Sequence, residues 1–283
     1  MRHAQQGRLW ANVLGVLAML VFCFVLVNSL YFSAPHRVRF RRDIAQKAQL
    51  NALTAALELV KNEFQTYPPS EANDPTGRPY CGAMKLAEAL IGRDQHGIHA
   101  RSAYRVDGLD PNGLQPLYPA KPDVANLKLR KGPFVTAKNA NAYRLVDIYG
   151  KGNTGLFPED TLVLCDCYRR ARPGGAKTGM PILYYRADPL GTTHDVNHPD
   201  NLQNIYRYQD NQALVLLGKP GKPGGVHALA DPKRFYQNTQ NPKSGATPEP
   251  YRRDSFILIS AGEDGEYGDA DDICNFDWKY CER

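Results

Sequence analysis

The sequence predicts an α+β protein in which a long N-terminal helix packs against an antiparallel β-sheet. Three observations indicate this: an uncharged apolar run near the N-terminus, an amphipathic helical pattern after it, and short runs of β-forming residues further on. Many of the 21 Pro and 24 Gly residues separate those β-forming runs, which predicts a large loop-rich insertion between residues 97 and 251. Hydrophobic residues make up 42% of the chain, enough for a packed core, and this excludes wholesale disorder.

The apolar run covers residues 9–32 and contains no charged residue. As a helix it would be about 36 Å long, which exceeds the hydrocarbon core of about 30 Å. A cleaved secretory signal is the alternative, but its apolar region usually has only about 7–15 residues. The sequence therefore predicts a short basic N-terminus, residues 1–8, and a retained single-pass membrane helix, residues 9–32.

Two signals conflict on which side of the membrane the rest of the chain lies. Four arginines directly follow the apolar run, and by the positive-inside rule they favour the cytoplasm. Cys274 and Cys281 bracket a short aromatic tail, as a disulfide closing a small loop would, and disulfides form in oxidising compartments. The charge pattern alone leaves the orientation open.

Residues 33–66 predict an amphipathic continuation of the first helix, ending before "YPPS". Polar residues occupy much of one side of this segment, and we expect the other side to pack on the globular domain. Four apolar residues recur there at helical spacing: Leu50, Leu53, Leu57 and Val60.

Residues 67–283 predict one globular domain with a second short helix around residues 84–91. Apolar and β-branched runs mark the expected strands of its antiparallel sheet. These runs cover residues 133–138, 142–149, 160–168, 180–187, 213–218 and 255–260.

A crowded acidic loop follows the last expected strand in "SFILISAGEDGEYGDADDI". Six acidic residues fall within ten positions, although the whole chain has a formal net charge of +6. No Lys or Arg lies in this loop. Carboxylates so close together repel one another unless a cation neutralises them. Ca²⁺ takes six to eight oxygen ligands from carboxylates, carbonyls and water, and glycines let a loop curl around it. The alternative is a solvated acidic turn; the density of acids favours structural Ca²⁺.

Two segments, "ALELVKNEFQTYPPS" and "GEDGEYGDADDI", together resemble the major (G-type) pseudopilin of type II secretion, in the type IV pilin-like superfamily. The resemblance covers roughly the first 80 and the last 30 residues. It implies a pilin-like fold, a structural calcium loop, and anchoring in the bacterial inner membrane with the C-terminal domain in the periplasm. It implies other pseudopilins or secretion-apparatus subunits as partners, or further copies of the chain.

The calcium ligands expected from the loop and the resemblance are the side chains of Asp264, Asp271 and Asp272, followed by Asp269. The carbonyl of Ser260 is an additional candidate. The alternating Asp-x-Asp of the family can align as Asp269 and Asp271 or can use Asp272, so the individual roles stay open.

The N-terminus departs from the family pattern. Family precursors carry a basic leader that ends in Gly before the cleavage site, then Phe, with a Glu four positions later. In the best register Gly7 precedes the cut, Arg8 stands in place of the Phe, and Asn12 stands in place of the Glu. Asn cannot carry the charge of that Glu, so the sequence leaves both processing and fibre assembly open.

The sequence contains no signature of a common catalytic site, so no enzymatic activity and no small-molecule substrate are expected. Its basic residues form no stripe, so no nucleic-acid partner is expected either. The alternative function is a membrane-anchored extracytoplasmic binding module or enzyme on a pilin-like scaffold. In that case the insertion, residues 97–251, would carry the function.

Overall fold

A computed structural model describes residues 19, 22, 38–222, 224–245 and 247–276. The chain divides into two compact units, residues 1–44 and residues 45–283. In the first unit, residues 38–44 are helical. The predicted leader, residues 1–8, lies outside the described residues, as does the predicted span, residues 9–32, apart from its residues 19 and 22.

The second unit contains six helices and nine short strands within its described residues. The helices are α1 (45–64), α2 (Gly82–Ile91), α3 (Val124–Lys128), α4 (Leu145–Tyr149), α5 (Gln209–Val215) and α6 (Pro232–Thr239), with a 3₁₀ turn at Ala228–Ala230. The strands are β1 (Ile98–His99), β2 (Arg130–Lys131), β3 (Ala142–Arg144), β4 (Leu162–Leu164), β5 (Arg170–Ala171), β6 (Lys177–Thr178), β7 (Leu183–Arg186), β8 (Phe256–Ser260) and β9 (Ile273–Cys274). Three antiparallel pairs, β1–β2, β3–β4 and β5–β6, accompany a three-stranded antiparallel sheet in the order β7–β8–β9.

The three-stranded sheet is buried on both faces. Every residue of β8 is buried, although a strand with one face in water would alternate between apolar and polar residues. Along β8, Phe256 and Leu258 pack in one apolar cluster, whereas Ile257 and Ile259 pack in another. The continuous apolar run "FILIS" is therefore what a strand between two cores requires.

Helix α1 contributes the apolar residues of one of these two cores. The four residues at helical spacing, Leu50, Leu53, Leu57 and Val60, are all buried. They belong to the same cluster as Tyr184 of β7 and Leu258 of β8. The helical stripe read from the sequence is thus the face that covers the sheet.

Helix α2 lies so close to the sheet that one of its positions requires glycine. A Cβ atom on Gly82 would lie 2.2 Å from the backbone oxygen of Tyr184 in β7. All ten residues of α2 are buried, including Lys85 and Glu88. This helix therefore carries charged groups into the interior, where each needs a partner.

The predicted fold class is wrong. The described residues form a mixed α/β structure with small antiparallel sheets of two or three strands, and they contain no long apolar helix. Among them, no helix combines the length and the apolar composition of a membrane span. Prolines lie on both sides of β7, Pro181 before it and Pro189 after it, and proline cannot donate a ladder hydrogen bond.

Several predicted strands also fold differently. The run at 213–218 was expected to be a strand, but its first residues complete α5. The run at 142–149 is divided between β3 and α4, and residues 133–138 form no strand. A buried apolar run of about six residues fits a helix or a strand equally well, so periodicity could not decide between them.

Candidate metal centre

The acidic loop, residues 261–272, connects β8 to β9 and is held at both ends. Ser260 at the end of β8 pairs with Ile273 at the start of β9. On its other side β8 pairs with β7 over four residues. The ladder therefore brings the two ends of the loop together, and its carboxylates must share a small volume.

Glycines allow the loop to curl back on itself. Gly262, Gly265 and Gly268 all have positive φ, a conformation that other residues rarely adopt. At Gly262 a Cβ atom would lie 2.3 Å from the backbone oxygen of Asp271. The spacing of these glycines thus serves the close approach of the two halves of the loop.

Two groups of acidic side chains meet in this loop. One carboxylate oxygen from each of Asp269, Asp271 and Asp272 lies within 4.8 Å of the other two. Oxygens of Asp264, Glu266 and Asp269 form a second group with the same spacing. We call the first the inner group and the second the outer group; Asp269 belongs to both.

Backbone amides hold the inner group in place. One oxygen of Asp271 accepts hydrogen bonds from the amides of Glu263 and Asp264, at 2.9 and 3.1 Å. One oxygen of Asp272 accepts from the amide of Gly268 at 2.7 Å, and the amide of Asp271 donates to Asp269 at 3.1 Å. The carboxylates are therefore oriented by the loop itself.

Asp272 has an oxygen that nothing in the described structure satisfies. Its residue is only 6% exposed, and Oδ1 has no hydrogen-bond partner among the described residues. Leaving a buried carboxylate oxygen without a donor or a cation is unfavourable by about 1–3 kcal/mol or more. This is the feature that most clearly indicates a ligand position.

Burial and crowding raise the pKa values of the inner group. Burial, and after it the hydrogen-bonding carboxylate neighbours Asp271 and Asp264, raise the pKa of Asp269 to about 8. Burial also raises the pKa of Asp272 well above its usual range, and the charges of the neighbouring aspartates add to this. Either a proton or a bound cation can relieve such repulsion.

Positive groups contact the outer group from two sides. Lys219 forms an ion pair with Glu266. The guanidinium of Arg170 donates hydrogen bonds to the backbone oxygens of Glu263 and Asp264. The outer group is thus partly neutralised by the chain, whereas Asp272 of the inner group accepts a hydrogen bond from a backbone amide.

Ser260 lies below the loop with its side chain directed to a carboxyl group that the sequence did not single out. Its hydroxyl donates to Asp166 at 3.3 Å and accepts from the amide of Gly262 at 3.4 Å. Asp166 is fully buried, and burial raises its pKa to about 7. Little in the sequence indicates this role for Asp166. It lies between Cys165 and Cys167, and alternation along an extended segment directs its side chain to the face opposite theirs.

The other predicted site residues are distributed as follows. Cys274 lies in β9, opposite Ile259, and its proposed partner Cys281 lies outside the described residues. Gly7, Arg8 and Asn12 also lie outside them. Asp269, Asp271 and Asp272 meet in the inner group, whereas Asp264 joins the outer group with Glu266, which sequence reasoning missed as a ligand candidate.

Comparison of the chain with protein-family models, with curated proteins and with solved structures finds no match in any of the three. The function is therefore inferred from the residues and their geometry.

Proposed function

We propose that the protein is a non-enzymatic structural subunit whose acidic loop binds one Ca²⁺ ion at the inner group. The observation that carries this is the unpartnered Oδ1 of buried Asp272, in a carboxylate that has an oxygen within 4.8 Å of ligand atoms of Asp269 and Asp271. The buried acid and the converging carboxylates are independent features of one loop. Together they provide negative charge, ligand atoms close to one another and a carboxylate oxygen that lacks a partner among the described residues.

The donor set favours Ca²⁺ over other common metals. All side chains of the inner group offer oxygen, whereas structural Zn²⁺ sites use mainly cysteine and histidine. Mg²⁺ requires near-ideal octahedral geometry, but Ca²⁺ accepts irregular sets of six to eight oxygens. Three clustered carboxylates in a glycine-rich loop, completed by carbonyls or water, fit the looser requirement.

The bound ion would fasten the end of the three-stranded sheet. The loop joins β8 to the two-residue strand β9, whose ladder to β8 is short. Neutralising the carboxylates would remove the repulsion that opposes this closed loop. The ion would act by stabilising the fold, without a catalytic step.

We further propose a pseudopilin-like role in a type II secretion or related apparatus, at the bacterial inner membrane, with the globular domain, residues 67–283, in the periplasm. The support is the resemblance of "ALELVKNEFQTYPPS" and "GEDGEYGDADDI" to the pseudopilins, together with the loop geometry above. Partners of this kind of subunit are other pseudopilins, apparatus proteins or further copies of the chain.

Thermal unfolding of the full chain in a detergent without sugar headgroups tests the metal site. After chelation and dialysis, Ca²⁺ at about 100 times its Kd should stabilise the protein by about 2.7 kcal/mol. Asp272→Asn should abolish this gain, and the exposed Asp254→Asn should retain it. An unchanged midpoint at millimolar Ca²⁺ in metal-free protein would contradict the site.

Deletion of the gene in its host tests the broader role separately. Loss of proteins from the culture medium, restored by the wild-type chain and only weakly by Asp272→Asn, is the expected result. Normal secretion in the deletion strain would contradict the secretion role while leaving the metal site standing.

A further inference from the structure

A second site lies away from the acidic loop, in a cavity of about 170 Å³ beside α2. Its lining includes Tyr80, Glu88, Arg93, Tyr118, Asp160 and Thr161. Drug-sized ligands occupy cavities of about 300–1,000 Å³, so this cavity suits a smaller molecule. It has the volume of about six water molecules in the liquid.

The charge of Glu88 in this cavity is already met by the chain. Its carboxylate accepts hydrogen bonds from three hydroxyl groups: Tyr80 at 2.6 Å, Tyr118 at 2.8 Å, and Ser102. The residue is 2% exposed. Because buried charges need such partners, the network fixes Glu88 and removes its need for a cationic ligand.

The remaining charges of the cavity balance one another. Asp94 forms an ion pair with Arg130 at 2.9 Å. Asp160 and Arg93 both line the cavity and carry opposite charges. A cation would meet the Arg93 guanidinium and an anion would meet Asp160, so the lining favours a neutral ligand.

Unused hydrogen-bonding groups specify the polarity of that ligand. The hydroxyl of Thr161 is buried without a partner, in a residue only 5% exposed. Asp160 has no hydrogen bond or ion pair among the described residues, and Arg93 uses one N–H group on the carbonyl of Arg105 at 2.7 Å. The cavity thus offers a carboxylate acceptor, guanidinium donors and a hydroxyl that can do both.

We propose that this cavity binds a single sugar ring or a polyol of similar size. Adjacent hydroxyl groups of such a molecule can donate to Asp160 while accepting from Arg93, a match that neither an amine nor a carboxylate offers. The hydroxyl of Thr161 gains a partner, and the Glu88 network stays as it is. The site is independent of the metal centre.

Ligand-observed NMR on the full chain tests the proposal, with D-glucose, D-galactose, D-mannose and glycerol as probes. The detergent must lack sugar headgroups; dodecylphosphocholine meets this condition. One probe should bind with a Kd in the millimolar range. Asp160→Asn and Thr161→Val should each weaken it about tenfold, a loss equivalent to one good hydrogen bond to a charged group.

Asp254→Asn removes an exposed carboxylate elsewhere and should leave probe binding unchanged. Absence of binding by all four probes below about 50 mM overturns the proposal. Binding that survives both cavity variants also overturns it, because the site then lies elsewhere. Stronger binding of methylammonium or acetate than of the polyols would overturn the ligand class.

Discussion

The Glu88 network and the acidic loop both bury carboxylates, but they satisfy them differently. At Glu88, hydroxyl groups from three separate segments point at one carboxylate. In the acidic loop, buried Asp272 accepts one backbone hydrogen bond, and its other oxygen has no partner among the described residues. The first arrangement is complete within the chain, whereas the second leaves one oxygen open to a proton or to the proposed cation. The same residue chemistry thus gives a structural anchor in one place and our proposed ligand position in the other.

A third buried carboxylate, Asp210, follows neither pattern. It accepts a hydrogen bond from Ser70, and burial raises its pKa to about 7. Lys85, which could neutralise it, donates instead to the backbone oxygens of Glu71 and Asn73, each at 2.8 Å. With a pKa of about 7, Asp210 carries less charge below neutral pH than an ordinary aspartate does.

The largest effect is expected from Glu88→Ala. The substitution leaves the hydroxyls of Tyr80, Ser102 and Tyr118 without their shared acceptor, and breaking such a buried network lowers stability by about 3–5 kcal/mol. Urea unfolding of the full chain measures this loss, which should be equal with and without Ca²⁺ because the site is separate. Glu88→Gln, which keeps the shape and one acceptor, is the matched control and should lose less. A loss of stability below about 1 kcal/mol for Glu88→Ala would show that the Glu88 network is not a structural anchor.

Asp210→Asn is expected to change the pH dependence of stability. The folded-state pKa of Asp210 is raised from 3.8 to about 7, so its stabilisation is present below about pH 4 and is lost as the pH rises through 7. The amide removes this loss. Relative to wild type the variant should gain at most about 3 kcal/mol between pH 5 and 9, because part of the loss already occurs below pH 5. Ser70, Glu71, Lys85 and Arg207 face this carboxyl and set its titration.

Unfolding free energies across that pH range, for the wild type and for Asp210→Asn, provide the measurement. Asp254→Asn serves as the control, since the Asp254 carboxylate is 91% exposed. Parallel pH profiles for wild type and Asp210→Asn would show that Asp210 holds no proton in the folded state.

Gly262→Ala should affect the acidic loop at its narrowest point. The added Cβ would lie 2.3 Å from the backbone oxygen of Asp271, at a φ of 61° that alanine tolerates poorly. We expect a loss of about 1–3 kcal/mol and a weaker response to Ca²⁺. Gly245→Ala is the control, because a Cβ atom there meets nothing within 4 Å. An unaltered response to Ca²⁺ in Gly262→Ala would show that the curl of this loop does not form the metal site.

The acidic loop could be found from the sequence because its signal is local. Glycines and carboxylates follow the apolar run of β8 directly, and all the ligand candidates lie within a few residues of one another. The stripe of Leu50, Leu53, Leu57 and Val60 is likewise contained in one helix. Features of this kind depend on spacing, which the sequence displays.

The Glu88 network could not be found in this way. Lys85 and Glu88 lie three residues apart in α2, a pattern typical of a solvent-exposed face, yet both are buried. The groups that stabilise Glu88 come from Ser102 and Tyr118 as well as from nearby Tyr80, and only the tertiary fold brings them together. The strand predicted at 213–218 was wrong for a related reason. The packing around this short apolar run, and not its pattern, places its first residues in α5.

The smallest expected effect distinguishes the two halves of the acidic loop. Lys219→Gln removes the ion pair with Glu266, and because both side chains are about one-quarter exposed the loss of stability should stay below about 1 kcal/mol. The same change removes a positive charge that opposes a bound cation and frees Glu266, so Ca²⁺ affinity should rise about two- to five-fold.

Isothermal titration with Ca²⁺ measures this affinity. Lys222→Gln is the control, because it removes a charge three residues from Lys219 without breaking an ion pair among the described residues. Reduced Ca²⁺ affinity in Lys219→Gln would mean that the lysine supports the site by holding the outer group in place. An increase confined to Lys219→Gln would show that the chain supplies its own cation to the outer group and leaves the inner group for the metal.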